Sequence, residues 1–421
     1  MLAALGGHAW KSLNCMPTQS RRHATQKNHN PMPARPFAMS ERLQKLPPYL
    51  FAEIDKKKKA AIAAGRDIIN LGVGDPDRPT PTPIIRSLQK HVEHGPFHQY
   101  ALDQGAPEFR RAVAAWLRKR FGVELNPDSE VIGLIGSKEG IAHLPLGVLN
   151  PGDVSLVPDP CYPVYRTFSW FSGAETHMMP LVAENGFLPD LDAIPAEVWR
   201  RARLMFLNYP NNPTAAVASR AFFEKVVRLA HEHGFVIAQD AAYAEMYYEE
   251  PPLSILQIPG AKDVAIELHS FSKTFNMTGW RLGFAVGGAP IVAALGQVKA
   301  NCDSGIFTAI QFAGITALEQ YDELSRPIRE LYRDRRDTLV SGLRSIGWKV
   351  PTPPATFYVW IPCPAGYKSS ELCTKLLDEA DIVTTPGIGF GSTADEYIRM
   401  ALTVETPRIK EAIGRIAKLK L

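Results

Sequence analysis

One lysine in this chain stands where a charged amine is hardest to keep. Lys273 lies just past the apolar run Val264–Leu268, inside SFSKTFNMTGWRLG, Ser270 to Gly283. A lysine at the end of a buried strand is costly to desolvate unless its amine is paired or does chemistry. An amine held there can condense with an aldehyde cofactor. Ser270, Ser272 and Arg281 add two hydroxyls and a guanidinium that can grip a phosphate. An aldehyde and a phosphate on one cofactor point to pyridoxal phosphate.

Three further segments place reactive side chains directly after short apolar runs. Val131–Ile135 leads into Gly136-Ser137-Lys138-Glu139-Gly140, whose small residues leave backbone N–H groups free for an anion at a helix start. Leu204–Leu207 leads into Asn208-Tyr209-Pro210-Asn211-Asn212-Pro213-Thr214, and Phe235–Ala238 into Gln239-Asp240-Ala241-Ala242-Tyr243. Ligand crevices in open α/β sheets form beyond the carboxyl ends of strands. An anion site, an amide, a carboxylate with a tyrosine, and a lysine at four such ends exceed what packing explains. Arg399, in Tyr397-Ile398-Arg399-Met400, interrupts another strand-like pattern. Its guanidinium is the fork that clamps a carboxylate with two parallel bonds.

These residues need a frame. The runs Ile68–Val73, Val131–Ile135, Val154–Val157, Leu204–Leu207, Phe235–Ala238, Val264–Leu268 and Leu282–Val286 suit strands buried on both faces of a parallel sheet. Helical patterns lie between several of them, at Phe109–Phe121 and at Ala221–His233, the latter closed by Gly234. The alternation is that of an α/β layered domain. After about residue 290 the chain turns to long helical patterns, strand-like pieces at Phe357–Ile361 and Ile398–Val404, and a last helix. A length of 421 residues suits two domains. The expected division is a disordered extension over 1–40, a large cofactor-binding domain over 71–289, and a smaller substrate-closing domain from 41–70 with 290–421.

Composition excludes several classes. Hydrophobic content of 45% with 21% charged residues is that of a globular protein, and no apolar run is long enough to span a bilayer. The five cysteines are scattered and show no C-x-x-C spacing, which argues against a disulfide framework or zinc site and favours a reducing, cytoplasmic setting. The net charge of +4 sits in residues 1–40, which hold five basic residues and no acid; the remainder has 42 basic against 43 acidic residues. A near-neutral body argues against nucleic-acid and membrane partners. The acid-free tail reads as a disordered extension, with an organellar transit peptide, and so a stroma or matrix location, as the other reading. Lys56–Lys59 reads as a solvated helix face.

From about residue 45 onward, these motifs in this order resemble the class I aminotransferases, the fold-type I pyridoxal-phosphate enzymes of the aspartate aminotransferase superfamily. Tyr49-Leu50-Phe51-Ala52-Glu53-Ile54, Leu71-Gly72-Val73-Gly74-Asp75, Gly136-Ser137-Lys138-Glu139-Gly140 and Asp303-Ser304-Gly305-Ile306-Phe307 are similar to segments of LL-diaminopimelate aminotransferases. The resemblance implies a large domain with a mostly parallel seven-stranded sheet sandwiched by helices, plus a smaller α+β domain. It implies that Lys273 carries the cofactor and then shuttles a proton, and that Asp240 pairs with the pyridine nitrogen. Tyr243 and Asn212 would hold the ring's phenolate oxygen, and Tyr162 would stack on the ring. Ser137, Lys138, Ser270, Ser272 and Arg281 would hold the phosphate, joined by Tyr100 from a neighbouring subunit of a homodimer. Arg399 would bind the substrate carboxylate in a pocket also lined by Tyr49, Gly74 and Asn212. The substrates implied are an amino acid and a 2-oxo acid: LL-2,6-diaminopimelate and 2-oxoglutarate, giving tetrahydrodipicolinate and glutamate for lysine and cell-wall precursors.

Two departures stand out. The usual N-P-T-G ending is Asn212-Pro213-Thr214-Ala215 here, which raises the question whether the following turn accepts a Cβ. No asparagine falls where relatives use one from the partner subunit; Ser304 is the nearest substitute in Asn301-Cys302-Asp303-Ser304-Gly305. Gly387-Ile388-Gly389-Phe390-Gly391 lacks the strand–turn–helix setting of a nucleotide loop and reads as a flexible loop near Arg399. Rival readings are another aminotransferase acting on alanine, aspartate or an aromatic donor, a pyridoxal-phosphate C–S lyase, and a non-catalytic regulator on the same fold. The intact lysine argues against the regulator.

Overall fold

The computed structural model describes residues 37–44, 46 and 50–420. Tyr49 and almost all of the 1–40 segment therefore lie outside the described residues. Contacts divide the chain after Gln44. The first unit's described part holds one exposed helical turn, Glu41–Gln44.

The second unit is built around a seven-stranded sheet of β2 (Val131–Leu134), β3 (Val154–Asp159), β4 (Glu175–Pro180), β5 (Ala202–Leu207), β6 (Val236–Asp240), β7 (Ala265–Ser270) and β8 (Gly283–Gly287). Their order is β2-β8-β7-β6-β5-β3-β4. All neighbours pair in parallel except β8, which runs antiparallel to both β2 and β7. The inner strands are mostly apolar because both their faces are covered. Successive residues of β5 show it: Leu204 and Phe206 enter the core on one face, Met205 and Leu207 the core on the other.

Six of the expected runs are strands of this sheet. The first, Ile68–Val73, is not. Only β1 (Ile69–Asn70) is strand there, and it pairs in parallel with β10 (Ile382–Val383) in a separate two-stranded sheet. The seventh position is taken by β4, Glu-Thr-His-Met-Met-Pro, an edge strand whose mostly half-buried residues give no apolar run.

A third core gathers around β9 (Tyr358–Pro362), β11 (Thr385–Pro386) and β12 (Tyr397–Ala401), which form an antiparallel sheet in the order β11-β12-β9. The helices Tyr321–Ser345, Ser369–Ala380 and Thr406–Ile416 bury their apolar faces in it. The helices Ala289–Cys302 and Thr308–Glu319, expected with this part, instead contribute Leu295 and Ala313 to the cores flanking the large sheet. Lys56–Lys59 lie on the helix Leu50–Ala63, all but Lys58 fully exposed. Among the described residues, no helix is long and apolar enough to cross a membrane.

Candidate active site

Beyond the carboxyl ends of the parallel strands lies a cavity of about 410 Å³. Gly74, Ser137, Lys138, Tyr162, Asn212, Asp240, Tyr243, Ser270, Ser272, Lys273, Arg281 and Arg399 all line it. Tyr100 does not: it is 96% exposed and leaves its own chain's cavity.

The anion side is assembled by strand direction. β2 ends at Leu134, and the chain turns through Gly136 (φ 76°) into the helix Ser137–Val148. A Cβ on Gly136 would come within 2.5 Å of the Arg281 Nη2, so the turn and the guanidinium can approach only because that residue is glycine. Arg281 reaches the same edge because β8 is antiparallel, which puts its N-terminal end beside the C-terminal ends of its neighbours. The guanidinium donates to the Thr278 carbonyl at 2.9 Å and the Ile135 carbonyl at 3.4 Å. Ser270 accepts the Ser272 N–H at 3.2 Å, and Ser272 is buried beside it.

Asp240 closes the floor as the last residue of β6. Its Oδ2 accepts the Tyr165 hydroxyl at 2.7 Å and its Oδ1 the Ala242 N–H at 3.1 Å, while Asn208 donates to its carbonyl at 2.8 Å. Burial pushes the carboxyl pKa up, opposed by those two hydrogen bonds and by nearby His269. A carboxylate buried so deeply is stabilised by a cation set against it. The Tyr165 ring is held by stacking on Phe206, centroids 4.8 Å apart. Tyr243 Oη lies 3.0 Å from Tyr358 Oη, and burial drives its pKa well above the phenol range.

One segment outside the strands, residues 72–77, supplies carbonyls to both the amine and the guanidinium. Lys273 Nζ donates to the Gly74 carbonyl at 2.9 Å, and Arg399 Nη2 to the Gly72 carbonyl at 2.9 Å. Burial lowers the Lys273 pKa, so a larger share of its amine is neutral than on a free lysine. Arg399 is fixed on β12, opposite Trp360 of β9 and Thr385 of β11. Its Nη1 donates to Asn212 Oδ1 at 2.8 Å, and its guanidinium lies 4.0 Å from the Tyr358 ring centroid and 4.7 Å from that of Phe390. Phe390, in the glycine-rich loop 387–391, is itself buried. The segment is pinned by Thr385 Oγ1 to the Gly72 carbonyl and Thr403 Oγ1 to the Val73 carbonyl, each at 2.7 Å, and by Arg335 bidentate to Asp77 at 2.6 and 2.7 Å. A Cβ on Gly74 would run into the Tyr358 hydroxyl.

Sequence reasoning missed Tyr165, Tyr358, Asn208, Asp75 and Thr278, which also line the cavity. Tyr165 follows Tyr162 by three residues at a helix start, a spacing that could have drawn attention to it. Tyr358 carries no such signal inside an apolar strand.

Residues 66–416 match the profile of the family Aminotransferase class I and II. The chain belongs to that family. Among this aminotransferase's curated relatives, the LL-diaminopimelate aminotransferase of Syntrophobacter fumaroxidans is 56% identical over 91% of the chain and 99% of the relative. That of Aquifex aeolicus is 53% identical over 91% and 100%. Solved structures of the same fold include substrate-bound BacF from Bacillus subtilis, at 38% identity and TM-score 0.88 over 91% of this chain and 98% of that one. Aspartate aminotransferase from Thermus thermophilus with maleate is similar at 29% identity and TM-score 0.84 over 91% and 99%. Pyridoxal phosphate is the cofactor of this family, and the cavity's donor set fits it. A buried carboxylate suits a protonated ring nitrogen, an amine of lowered pKa lines the same cavity, and a glycine turn beside a guanidinium and hydroxyls is shaped for an anion.

Proposed function

We propose that this aminotransferase moves the amino group of LL-2,6-diaminopimelate to 2-oxoglutarate. The keto product cyclises to tetrahydrodipicolinate and glutamate is released, a step toward lysine and peptidoglycan precursors. The reading rests on one juxtaposition: Lys273 and Arg399 hang from carbonyls two residues apart, Gly74 and Gly72. Residues two apart in a chain are separated by at most about 7 Å. A carboxylate clamped by Arg399 therefore sets the adjoining α-amino carbon beside the lysine amine. Relatives above 50% identity that carry the diaminopimelate name favour that donor over alanine or aspartate.

When bound, pyridoxal phosphate supplies an aldehyde that condenses with amines and a protonated ring that draws electrons from the Cα–H bond. The chain's own residues do the rest. Ser137, Lys138, Ser270, Ser272 and Arg281 would hold the phosphate, and Asp240 would keep the proton on the ring nitrogen. Tyr162 would cover the ring, and Tyr243 and Asn212 would hold its oxygen. Arg399 orients the α-carboxylate through two parallel bonds. Lys273 Nζ, in its neutral form, would take the proton from Cα. Donor and acceptor would use the same Arg399 clamp and so bind in turn. The distal amino-acid end of the donor would be met by Tyr49 or by the exposed Lys138.

The same proposal makes the active unit a homodimer. Tyr100 would complete the partner's phosphate site, and two exposed side chains would be covered: Leu102, two residues on, and Phe307, just past the Gly305 that packs on residues 101 and 102. It also retains the expected domain division, with the boundary moved to about residue 320 because the helices before it pack on the large sheet, and a cytoplasmic location. The test is a panel of amino donors with 2-oxoglutarate, following glutamate. LL-diaminopimelate should be turned over fastest; no turnover of it, alongside turnover of alanine or aspartate, removes the substrate but leaves the chemistry. Light scattering that finds an active monomer removes the dimer.

A further inference from the structure

Behind the anion side of the cavity lies a buried charge cluster that touches neither the proposed cofactor nor the substrate. Lys299, in the last turn of the helix Ala289–Cys302, is 0% exposed. An uncompensated ammonium there would be prohibitively costly. Its three protons have three acceptors: Glu139 Oε1 at 2.6 Å, Asp303 Oδ1 at 3.0 Å and the Ser304 carbonyl at 2.9 Å. Glu139, His143 and Asp303 are close enough together to suggest a metal centre. The Lys299 ammonium already supplies the cation that joins the two carboxylates.

The cluster has two outward connections. The second oxygen of Glu139 accepts the N–H of Ile135. The carbonyl of that same Ile135 accepts Arg281 Nη2 at 3.4 Å. Lys299, Glu139, Ile135 and Arg281 thus form one line of contacts through the Ile135-Gly136-Ser137 turn. On the other side, Asp303 and the Ser304 carbonyl hold the loop leading to Gly305. Gly305 is pressed on residues 101 and 102; a Cβ there would lie 2.7 Å from the Ala101 carbonyl oxygen and collide with that of Leu102. Tyr100 precedes them, almost wholly exposed.

We propose that Lys299 and Glu139 are positioning residues for the cofactor phosphate, one buried ammonium setting the spacing between the anion-binding turn and the loop that presents Tyr100. The inference rests on the reading of that turn as the phosphate site. Glu139 alone could brace its own turn, but it is buried, and burial already pushes its pKa up against the opposing pull of Lys299. Without the ammonium the carboxylate loses the cation that opposes its burial and the bond that orients it, and its hold on Ile135 weakens.

The test uses the full chain, stripped of cofactor and titrated separately with pyridoxal phosphate and with pyridoxal, which lacks the phosphate. The variants are Lys299→Met and the isosteric Glu139→Gln. The parent should prefer the phosphorylated ligand strongly. In Lys299→Met the affinity for pyridoxal phosphate should fall about tenfold or more, as expected for losing a charge-assisted hydrogen bond that another group depends on. Pyridoxal affinity should stay within about twofold. Glu139→Gln should move the ratio the same way by about threefold or more, and it carries the expectation if Lys299→Met does not fold. A purely structural role would weaken both ligands together. A parent that discriminates while both folded variants discriminate equally well overturns this proposal alone. A parent that binds the two ligands alike overturns the phosphate reading of the turn, and this proposal with it.

Discussion

The two ends of the cavity are held by different means. At the anion and ring end, Ser137, Asp240, Ser270, Lys273 and Arg281 stand at the ends of neighbouring strands, and the ladder of one sheet sets their spacing. At the carboxylate end, Arg399 comes from another sheet and reaches across through its side chain, with hydrogen bonds to Asn212 and to the Gly72 carbonyl among its contacts. A ladder of backbone hydrogen bonds is hard to perturb with one side chain. A guanidinium placed by side-chain contacts is easier to disturb. The cofactor end should therefore tolerate change in its surroundings better than the substrate end, and each end should fail with its own signature.

The largest effect is expected at the residue both ends share. Lys273→Ala should lower transamination by at least about 1,000-fold, since it removes both the condensing amine and the proton carrier. A glutamate-release assay on the purified variant measures it, and retention of even a tenth of the parent's turnover would dismiss the lysine. The same amine sets a pH dependence. Condensation needs the neutral form, and burial lowers the pKa of Lys273 below the ordinary lysine value of about 10.4. Uptake of pyridoxal phosphate by the cofactor-free protein should therefore rise with pH and level off at a lower pH than condensation with an exposed lysine. Stopped-flow absorbance follows it.

Arg399→Ala comes next and tests the substrate end alone. Removing one partner of a buried charged pair costs about 2–5 kcal/mol, so kcat/KM for the amino donor should fall by two orders of magnitude or more, with cofactor affinity unchanged. Arg399→Lys should recover only part, because it keeps the charge and loses the fork. A parallel loss of cofactor binding would show that the ends are not separable. Tyr165→Phe is the mirror image. It strips Asp240 Oδ2 of its donor, which costs about 1–3 kcal/mol. Fluorescence titration should show pyridoxal phosphate binding weakened about tenfold, with the donor's KM little changed.

The smallest effect is expected at Ala215, buried with φ 62° where relatives carry glycine. The left-handed conformation costs an L-residue about 1–2 kcal/mol. Glycine forfeits a buried methyl worth about 0.8 kcal/mol and frees the unfolded chain by about 0.4–1 kcal/mol. Ala215→Gly should therefore shift urea-unfolding stability by no more than about 1 kcal/mol. A larger loss would mean that the methyl group is packed more tightly than burial alone implies.

What was legible in the chain follows the same division. Residues of the cofactor end announced themselves because each follows an apolar run closely, and a strand fully buried on both faces writes such a run plainly. The edge strand Glu175–Pro180 was illegible for the opposite reason, since exposure on one side lets polar residues in. Ile68–Val73 read as a strand of the large sheet, yet its last residues serve as a segment whose Gly72 and Val73 carbonyls catch Arg399, Thr385 and Thr403. Hydropathy records burial, and that segment is buried where it forms a strand and where it does not.

By itself the order of residues determined the cofactor's chemistry, because an amine, a carboxylate, a guanidinium and hydroxyls after short apolar runs lie within local reach of one sheet edge. Only the tertiary structure decided which distant partners meet there. Tyr165 beneath Asp240, Tyr358 against Arg399, and Lys299 behind Glu139 are pairs with no fixed spacing along the chain. Their contacts depend on how helices and sheets pack, and a local pattern of hydrophobicity carries no record of that.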